Sequence, residues 1–378
     1  MLAHLVETLE SRHDVTVIAG RPSYHSTVAP STPPGRVIRI PSTSFDRTSL
    51  IGRILNYASY MALSLGRTML CRRPHLVLTM TDPPIVGLLG VAAAARFRRP
   101  LVQISHDVYP EIAVVLGAIQ NPRLVGAWRA LNSFVRTRAA GIIVVGRDME
   151  DLLAGQGVPR SKIRYVPTWA SDQILSEEQQ ARTRTLMAWD EQFVVMHAGN
   201  LGPAQDLDTV LDAAAFVSDD PQVLFVLMGD GAARPHLQQR VDVEKLTNVR
   251  FLDYLPQGKA QELMAAADVH VVSLARGLGA LAAPSKTYGI MAAGRPYIAA
   301  VDEGAEPARI IREEGCGISC GPGDGAALAN AIREIQAKPL AELGDKARDT
   351  FERRFRRGVV TDKLVNVIEN IARQGTRE

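Results

Sequence analysis

Cysteine is scarce in this chain of 378 residues: Cys71, Cys316 and Cys320 are an odd number, without a CxxC pair or the nearby histidines that would complete a zinc set. They read as ordinary thiols of a reducing compartment. Long apolar runs are missing too. None reaches the roughly 20 residues that a spanning helix needs, and the opening MLAHLVETLE carries acids where a secretory leader carries bases. The expected location is therefore cytoplasmic. Aromatics are few, at 5%, but 46% hydrophobic and 22% charged residues describe a chain that buries a core rather than a disordered one. Acids are sparse in one half only. Residues 1–170 hold 20 Lys+Arg against 10 Asp+Glu and the remainder 23 against 30, so the net charge of +3 hides two opposite fields. The basic half is expected to face an anionic surface or ligand.

What is present is alternation. Short β-branched runs and longer periodic segments follow one another along the whole chain, the pattern of parallel strands joined by crossover helices. The strands expected in the first half are 15–19, 37–40, 75–79, 101–105, 141–145 and 163–166. Those of the second half are 193–198, 223–228, 249–252, 269–272, 297–300 and 317–319. A polar stretch, Ser171 to Glu191, reads as the connection between them. Two doubly wound α/β sheets in series follow, over 1–175 and 176–355, with ligands expected at the carboxyl ends of the strands and in the cleft between. Residues 356–378 read as a final helix that packs back on the first domain.

Four segments carry chemistry. VVMHAG turns at Gly199 and Gly202 into the helix of GNLGPAQDLDTVLDAAAFV, which places backbone N–H groups where a phosphate could sit, although a plain structural turn is spelled the same way. Asp206-Leu207-Asp208 spells a metal-binding DxD, but at a helix start N-capping by Asp206 or Asp208 is the better reading. VLFVLMGDGAARPHL resembles a dinucleotide fingerprint, with Asp253 about where a ribose-binding acid would stand. Arg234 in place of the third glycine, and Asp230 beside a pyrophosphate, argue against it. In SLARGLGALAAPSKTYGIMAAGRPYIAAVDEGAE, a Gly-rich loop leads into Pro284-Ser285-Lys286. Proline fixes the first turn, Ser285 can cap the helix, and Lys286 sets a cation beside N–H groups that already favour an anion, a combination that a diphosphate explains. Finally, Ser105-His106-Asp107-Val108-Tyr109-Pro110-Glu111 brings three titratable groups to a strand's carboxyl end, suited to substrate binding and proton handling.

In order and spacing, SHDVYPE, VVGRDMEDLLAGQGVPRSKIRYVPTWAS, HAGNLGPAQDLDTVLDAA, MGDGAARPHL, FLDYLP, LAAPSKTYGIMAAGRP and FERRF resemble glycosyltransferase family 4. The likeness covers nearly the whole chain and is to the bacterial subgroup of O-antigen, capsule and colanic-acid synthesis, fucosaminyltransferases among them. It implies a GT-B fold, a hexosyltransferase-type transfer with retention, and no metal or other cofactor. The implied partners are a nucleoside diphosphate sugar on the second domain, UDP-linked and of amino or deoxy type, and a lipid-linked saccharide on the first. The implied donor contacts are Gly199, Asn200, Gly202, Gln205, Gly229, Asp230, Tyr254, Leu255, Pro284, Ser285, Lys286 and Thr287, with His106, Asp107 and Glu111 as catalytic candidates.

Departures from the family pattern matter as much. Its usual Arg and Lys after the first glycine are Asn200 and Gln205 here, which leaves Lys286 as the remaining cation. Its two glutamates before the MAxG segment are Leu281 and Gly289 here, so the ribose or donor-sugar contact must come from elsewhere, with Glu306 as a possible replacement in donor binding. These losses keep two rivals open: a GT-B nucleotide-sugar 2-epimerase, and a catalytically silent partner subunit. A domain of this type opens with a strand and a Gly-rich loop, whereas this chain opens inside the following helix, so the first domain is expected to lack its first strand. Two acid-free stretches hold Arg47, Arg53, Arg67, Arg72, Arg73 and then Arg123, Arg129, Arg136, Arg138, Arg147, a basic amphipathic surface expected to lie peripherally on the inner, anionic face of the membrane. No nucleic-acid motif accompanies the charge.

Overall fold

The computed structural model describes residues 2–20, 36–43, 45, 50–170 and 175–374. Its strands are β1 Thr16–Gly20, β2 Arg36–Ile40, β3 Val77–Thr79, β4 Leu101–Ser105, β5 Gly141–Val144, β6 Ile163–Tyr165, β7 Phe193–Ala198, β8 Val223–Met228, β9 Val249–Leu252, β10 Val269–Ser273, β11 Tyr297–Ala300 and β12 Gly317–Cys320. The helices of the first half are α1 Leu2–Glu10, α2 Leu50–Met69, α3 Gly87–Phe97, α4 Glu111–Val115, α5 Pro122–Arg138 and α6 Arg147–Gly155. Those of the second are α7 Glu177–Met187, α8 Leu207–Phe216, α9 Arg234–Glu244, α10 Gln257–Ala266, α11 Lys286–Ala292, α12 Glu306–Glu314, α13 Gly325–Gln336, α14 Leu340–Thr350 and α15 Arg357–Gln374.

The second half is one parallel sheet in the order β12-β11-β10-β7-β8-β9. The order reverses between β7 and β10, so the connections leave these neighbours to opposite sides and open a crevice at their carboxyl ends. β7, β8 and β10 are apolar runs buried on both faces, as a sheet covered by helices on either side demands. In the first half β3-β4-β5-β6 form a second parallel sheet, while among the described residues β1 and β2 pair only with each other. Two sheets thus stand where a single doubly wound one was expected.

Other details also differ from the sequence reading. The polar stretch 171–191 is no mere connection, because α7 lies within it, started by a capping box in which Ser176 Oγ accepts from Gln179 N and Gln179 Oε1 from Ser176 N. Residues 171–174 lie outside the described residues. The two halves share a core in which Val108, Ile142 and Met149 pack in one cluster with Leu278, Leu281 and Tyr288. α15 returns to the first half, where Leu364 and Ile368 bury against Leu5, Ile104 and Ile143, each such side chain contributing about 1.5–3 kcal/mol.

Candidate functional site

At the mouth of the β7/β10 crevice the chain turns sharply at Gly199, whose φ of 132° suits glycine alone. Next to it Gly229, at φ 143°, ends β8 so close that an added Cβ would stand 1.8 Å from Gly199 O. These two residues let β7 and β8 deliver their loops to one point, with Leu201 N donating to Asp230 O at 2.9 Å. Asn200 and Gln205, the neutral substitutes for the family's cations, bond to each other at 3.3 Å, and Gln205 Oε1 accepts from Gly202 N at 3.2 Å. They hold the loop in shape.

Lys286 reaches the same point from the first residue of α11. Its Nζ lies 3.0 Å from His197 Nε2, and 3.9 Å from where a Cβ on Gly199 would be. Desolvation pushes the ammonium down to about 7, although part of the side chain stays accessible. Desolvation first, and Lys286 second, hold His197 well below the usual imidazole range, so the ring is neutral and its Nε2 can accept from the ammonium. A cation poised at neutrality, a neutral ring that orients it and a glycine turn form a cradle whose groups are suited to an anion.

Several expectations need correction. Ser285 takes the N-cap position of α11 in αR conformation, without a side-chain capping bond, and Thr287 Oγ1 is buried with no partner. Pro284 does open the turn, its carbonyl accepting from Thr287 N at 3.1 Å. Asp206 takes the N-cap position of α8, but neither acid of the DxD makes a side-chain capping bond. Asp206 Oδ2 accepts from Thr209 Oγ1, while Asp208 pairs with His236 and Arg240. Asp253 forms an ion pair at 2.6 Å with Arg234, which also donates to Gly229 O, so the dinucleotide reading loses its ribose acid. Tyr254 is exposed and Leu255 packs beside Met228 and Leu263. Asp230 Oδ1 accepts from Gly231 N.

Glu306 is the largest correction. It starts α12 almost fully buried, and both carboxylate oxygens are taken by the first half: Arg147 N and Nε donate at 3.0–3.1 Å and Tyr165 Oη at 2.9 Å. It joins the two halves rather than facing the cradle. Beside it Asp148 accepts from Glu306 N and Met149 N, each at 2.8 Å, and burial raises its carboxyl to about 6 despite those bonds, with Glu306 adding to the rise.

A carboxyl raised on folding binds its proton more tightly in the native state. Its stabilising contribution is present below the unfolded value near 4 and is lost as pH rises through about 6. Asp148→Asn, which cannot ionise, should therefore gain stability progressively relative to wild type between pH 4 and 7, by about 2–3 kcal/mol whatever constant offset the lost acceptor brings. Melting curves at three pH values check this, and a difference that is flat with pH would contradict it.

On the first-half side, β4 is followed by His106 and Asp107. Thr81 Oγ1 accepts from both of their backbone N–H groups, at 3.2 and 3.4 Å. Neither side chain hydrogen-bonds to a described residue. Burial holds His106 down at about 4, and burial followed by the Asp82 charge raises Asp107. Glu111 does not share this freedom, since Arg129 Nε holds its carboxylate at 3.1 Å.

The Gly-rich loop after β10 joins the two sides. Ala275 N donates to Ala204 O beside the cradle, Val108 N donates to Leu281 O, and Asp107 bridges Ala282. Asp302 Oδ2 fixes the loop by accepting from Gly277 N and Gly279 N at 2.8 and 3.4 Å. Sequence reasoning missed His197, Thr81, Asp302, Arg147 and Asp148 as site or interface residues. Only His197 carried a local signal, a lone polar residue inside the buried run VVMHA.

Residues 1–169 match the family model of the Glycosyl transferase 4-like domain, and residues 192–338 that of Glycosyl transferases group 1. A Pseudomonas aeruginosa protein named "Probable glycosyltransferase WbjE" is 30% identical over 305 residues, 80% of this chain and 76% of that one. An Escherichia coli (strain K12) protein named "Putative colanic acid biosynthesis glycosyl transferase WcaI" is 24% identical over 232 residues, 60% of this chain and 56% of its own. The crystal structure of Anabaena Alr3699/HepE in complex with UDP and glucose superposes with a TM-score of 0.74 at 17% identity, covering 98% of this chain and 95% of that one, a likeness of fold.

Proposed function

The chain belongs to the glycosyltransferases of GT-B fold, and from that premise we propose that it transfers a sugar from a UDP-linked amino or deoxy sugar to a lipid-linked saccharide, with retention, in the synthesis of a surface polysaccharide. The observation that carries this reading is the convergence of Gly199, Gly229, His197 and Lys286 at the sheet's switch point. Lys286 and the loop N–H groups answer the diphosphate charge, so the reaction needs no metal and survives chelation. The leaving diphosphate takes the acceptor's proton, while Asp107 and the neutral His106 orient the acceptor hydroxyl across the crevice. The UDP complex of a fold relative and the colanic acid biosynthesis named for one sequence relative support the choice of donor and pathway class. Incubation with radiolabelled UDP-sugars and a membrane extract tests it. Label in the lipid fraction is expected, whereas epimerised donor without transfer, or no turnover at all, would overturn the reading.

The lipid-linked acceptor requires that the enzyme meet a membrane, and no helix among the described residues is long and apolar enough to cross one. We propose docking through α2 and α5, where exposed Leu63, Leu65, Leu124 and Phe134 stand among basic residues. Arg147 does not belong to this face, because Glu306 and Glu313 hold it. Arg47 lies outside the described residues. Flotation with anionic liposomes is expected at low salt and release as the Debye length shrinks toward ~8 Å. Replacing Arg47, Arg53, Arg72 and Arg73 together by Gln should reduce flotation and spare UDP binding; equal recovery of both proteins would contradict the assignment.

A further inference from the structure

At the opposite end of the first-half sheet a groove of about 570 Å³ opens where β4, β5 and β6 begin. β4 alone sets it about 13 Å, four residue rises, from the strand end that carries His106 and Asp107. Arg98, Arg99, Arg138 and Lys162 line it over an apolar floor that includes Val91 and Ile371, and no Asp or Glu is among its lining residues.

The ordinary explanation for cations here is that α3 and α5 both end at the groove and their carbonyls attract positive charge. Those carbonyls are already answered. Lys162 Nζ donates to Thr137 O and Ala139 O at 3.0 Å each, and Arg73 Nε to Phe97 O at 3.0 Å. Three guanidiniums are left over. Arg138 lies over the Phe134 ring, and among the described residues none of the three has a carboxylate partner. Arg99 Nε is buried without any hydrogen-bond partner. Arg98 moreover holds a left-handed backbone, φ 51°, at a helix end where glycine or asparagine is the easier choice. Like charges gathered in a concavity without counter-charge among the described residues repel one another, and forked guanidiniums match the several oxygens of a phosphate better than those of any monodentate anion.

We infer that this groove binds a phosphate-bearing anion, at a site separate from the cradle around Lys286. The phosphate could be carried by a soluble phosphoanion or by a phospholipid headgroup, and the arms of the test tell these apart.

Calorimetry of the full chain with inorganic pyrophosphate should find two sites. Arg98→Gln, Arg99→Gln and Arg138→Gln combined should weaken one of them at least about tenfold and leave the other, while Lys286→Ala should do the reverse. Thermal melting confirms that the triple variant is folded. Phosphatidylglycerol vesicles form the second arm. Capture that pyrophosphate displaces and the triple variant lacks assigns the site to a lipid headgroup; capture that the triple variant keeps assigns it to a soluble phosphoanion. A folded triple variant that binds pyrophosphate at both sites as wild type does, or a wild type with the Lys286-dependent site alone, would overturn the inference.

Discussion

Asp107→Asn should slow sugar transfer about 100-fold while changing the affinity for UDP by less than about twofold. Burial raises its carboxyl and no described residue hydrogen-bonds to it, so it is held in readiness for a ligand group. Its backbone is pinned from two sides, by Thr81 on one and by the Ala282 bridge on the other. An acceptor hydroxyl oriented by such a group loses its alignment when the charge goes, and a displacement of about 1 Å at a reacting centre costs about 100-fold in rate. Glu111→Gln should lose much less, because that carboxylate already serves Arg129. Initial rates with membrane extract, set beside UDP calorimetry, separate the two effects. A parallel loss of rate and of UDP affinity in Asp107→Asn would place the residue elsewhere in the mechanism or mark a failure of the fold.

Lys286→Ala should weaken UDP binding about 10- to 150-fold, the equivalent of about 1.5–3 kcal/mol for a charge-assisted hydrogen bond to phosphate. The sign of its pH dependence follows from desolvation. With the free ammonium at about 7 and a bound diphosphate favouring the charged form, binding takes up a proton. Affinity should therefore be full below pH 7 and fall by up to about tenfold per unit above it. Calorimetry between pH 6.5 and 8.5, in two buffers of different ionisation enthalpy, measures that uptake. The alanine variant should show a flat profile over the same range. A wild-type profile as flat as the variant's would remove Lys286 from the site.

The strands were legible because a sheet covered on both faces leaves an apolar run bounded by turn residues. β4, β7, β8, β9 and β11 coincide with their expected bounds. The helix α7 was not read, although Ser176-Glu-Glu-Gln179 spells a capping box, because its polar surface offers no apolar stripe to signal a period. The Gly-rich turn and Lys286 were visible as a spacing, and geometry added what spacing cannot carry. Gly229 is demanded by the carbonyl of Gly199, in the turn after the neighbouring strand β7. Glu306 was assigned to the donor because nothing local marks a partner 159 residues earlier in the chain, the separation between it and Arg147. The same reason hid Asp302, whose function lies in the two backbone groups it fixes across the Gly-rich loop. Contacts made by tertiary closure leave no period in the sequence, and this site is built mostly from such contacts.

Hydrogen exchange of the whole protein with and without UDP tests the central claim, that the donor's diphosphate sits where β7, β8 and α11 converge. Slowed exchange at residues 199–205, 229–231 and 284–288, reduced in Lys286→Ala, is the result expected. Protection confined to the first half, or none at saturating UDP, would contradict it.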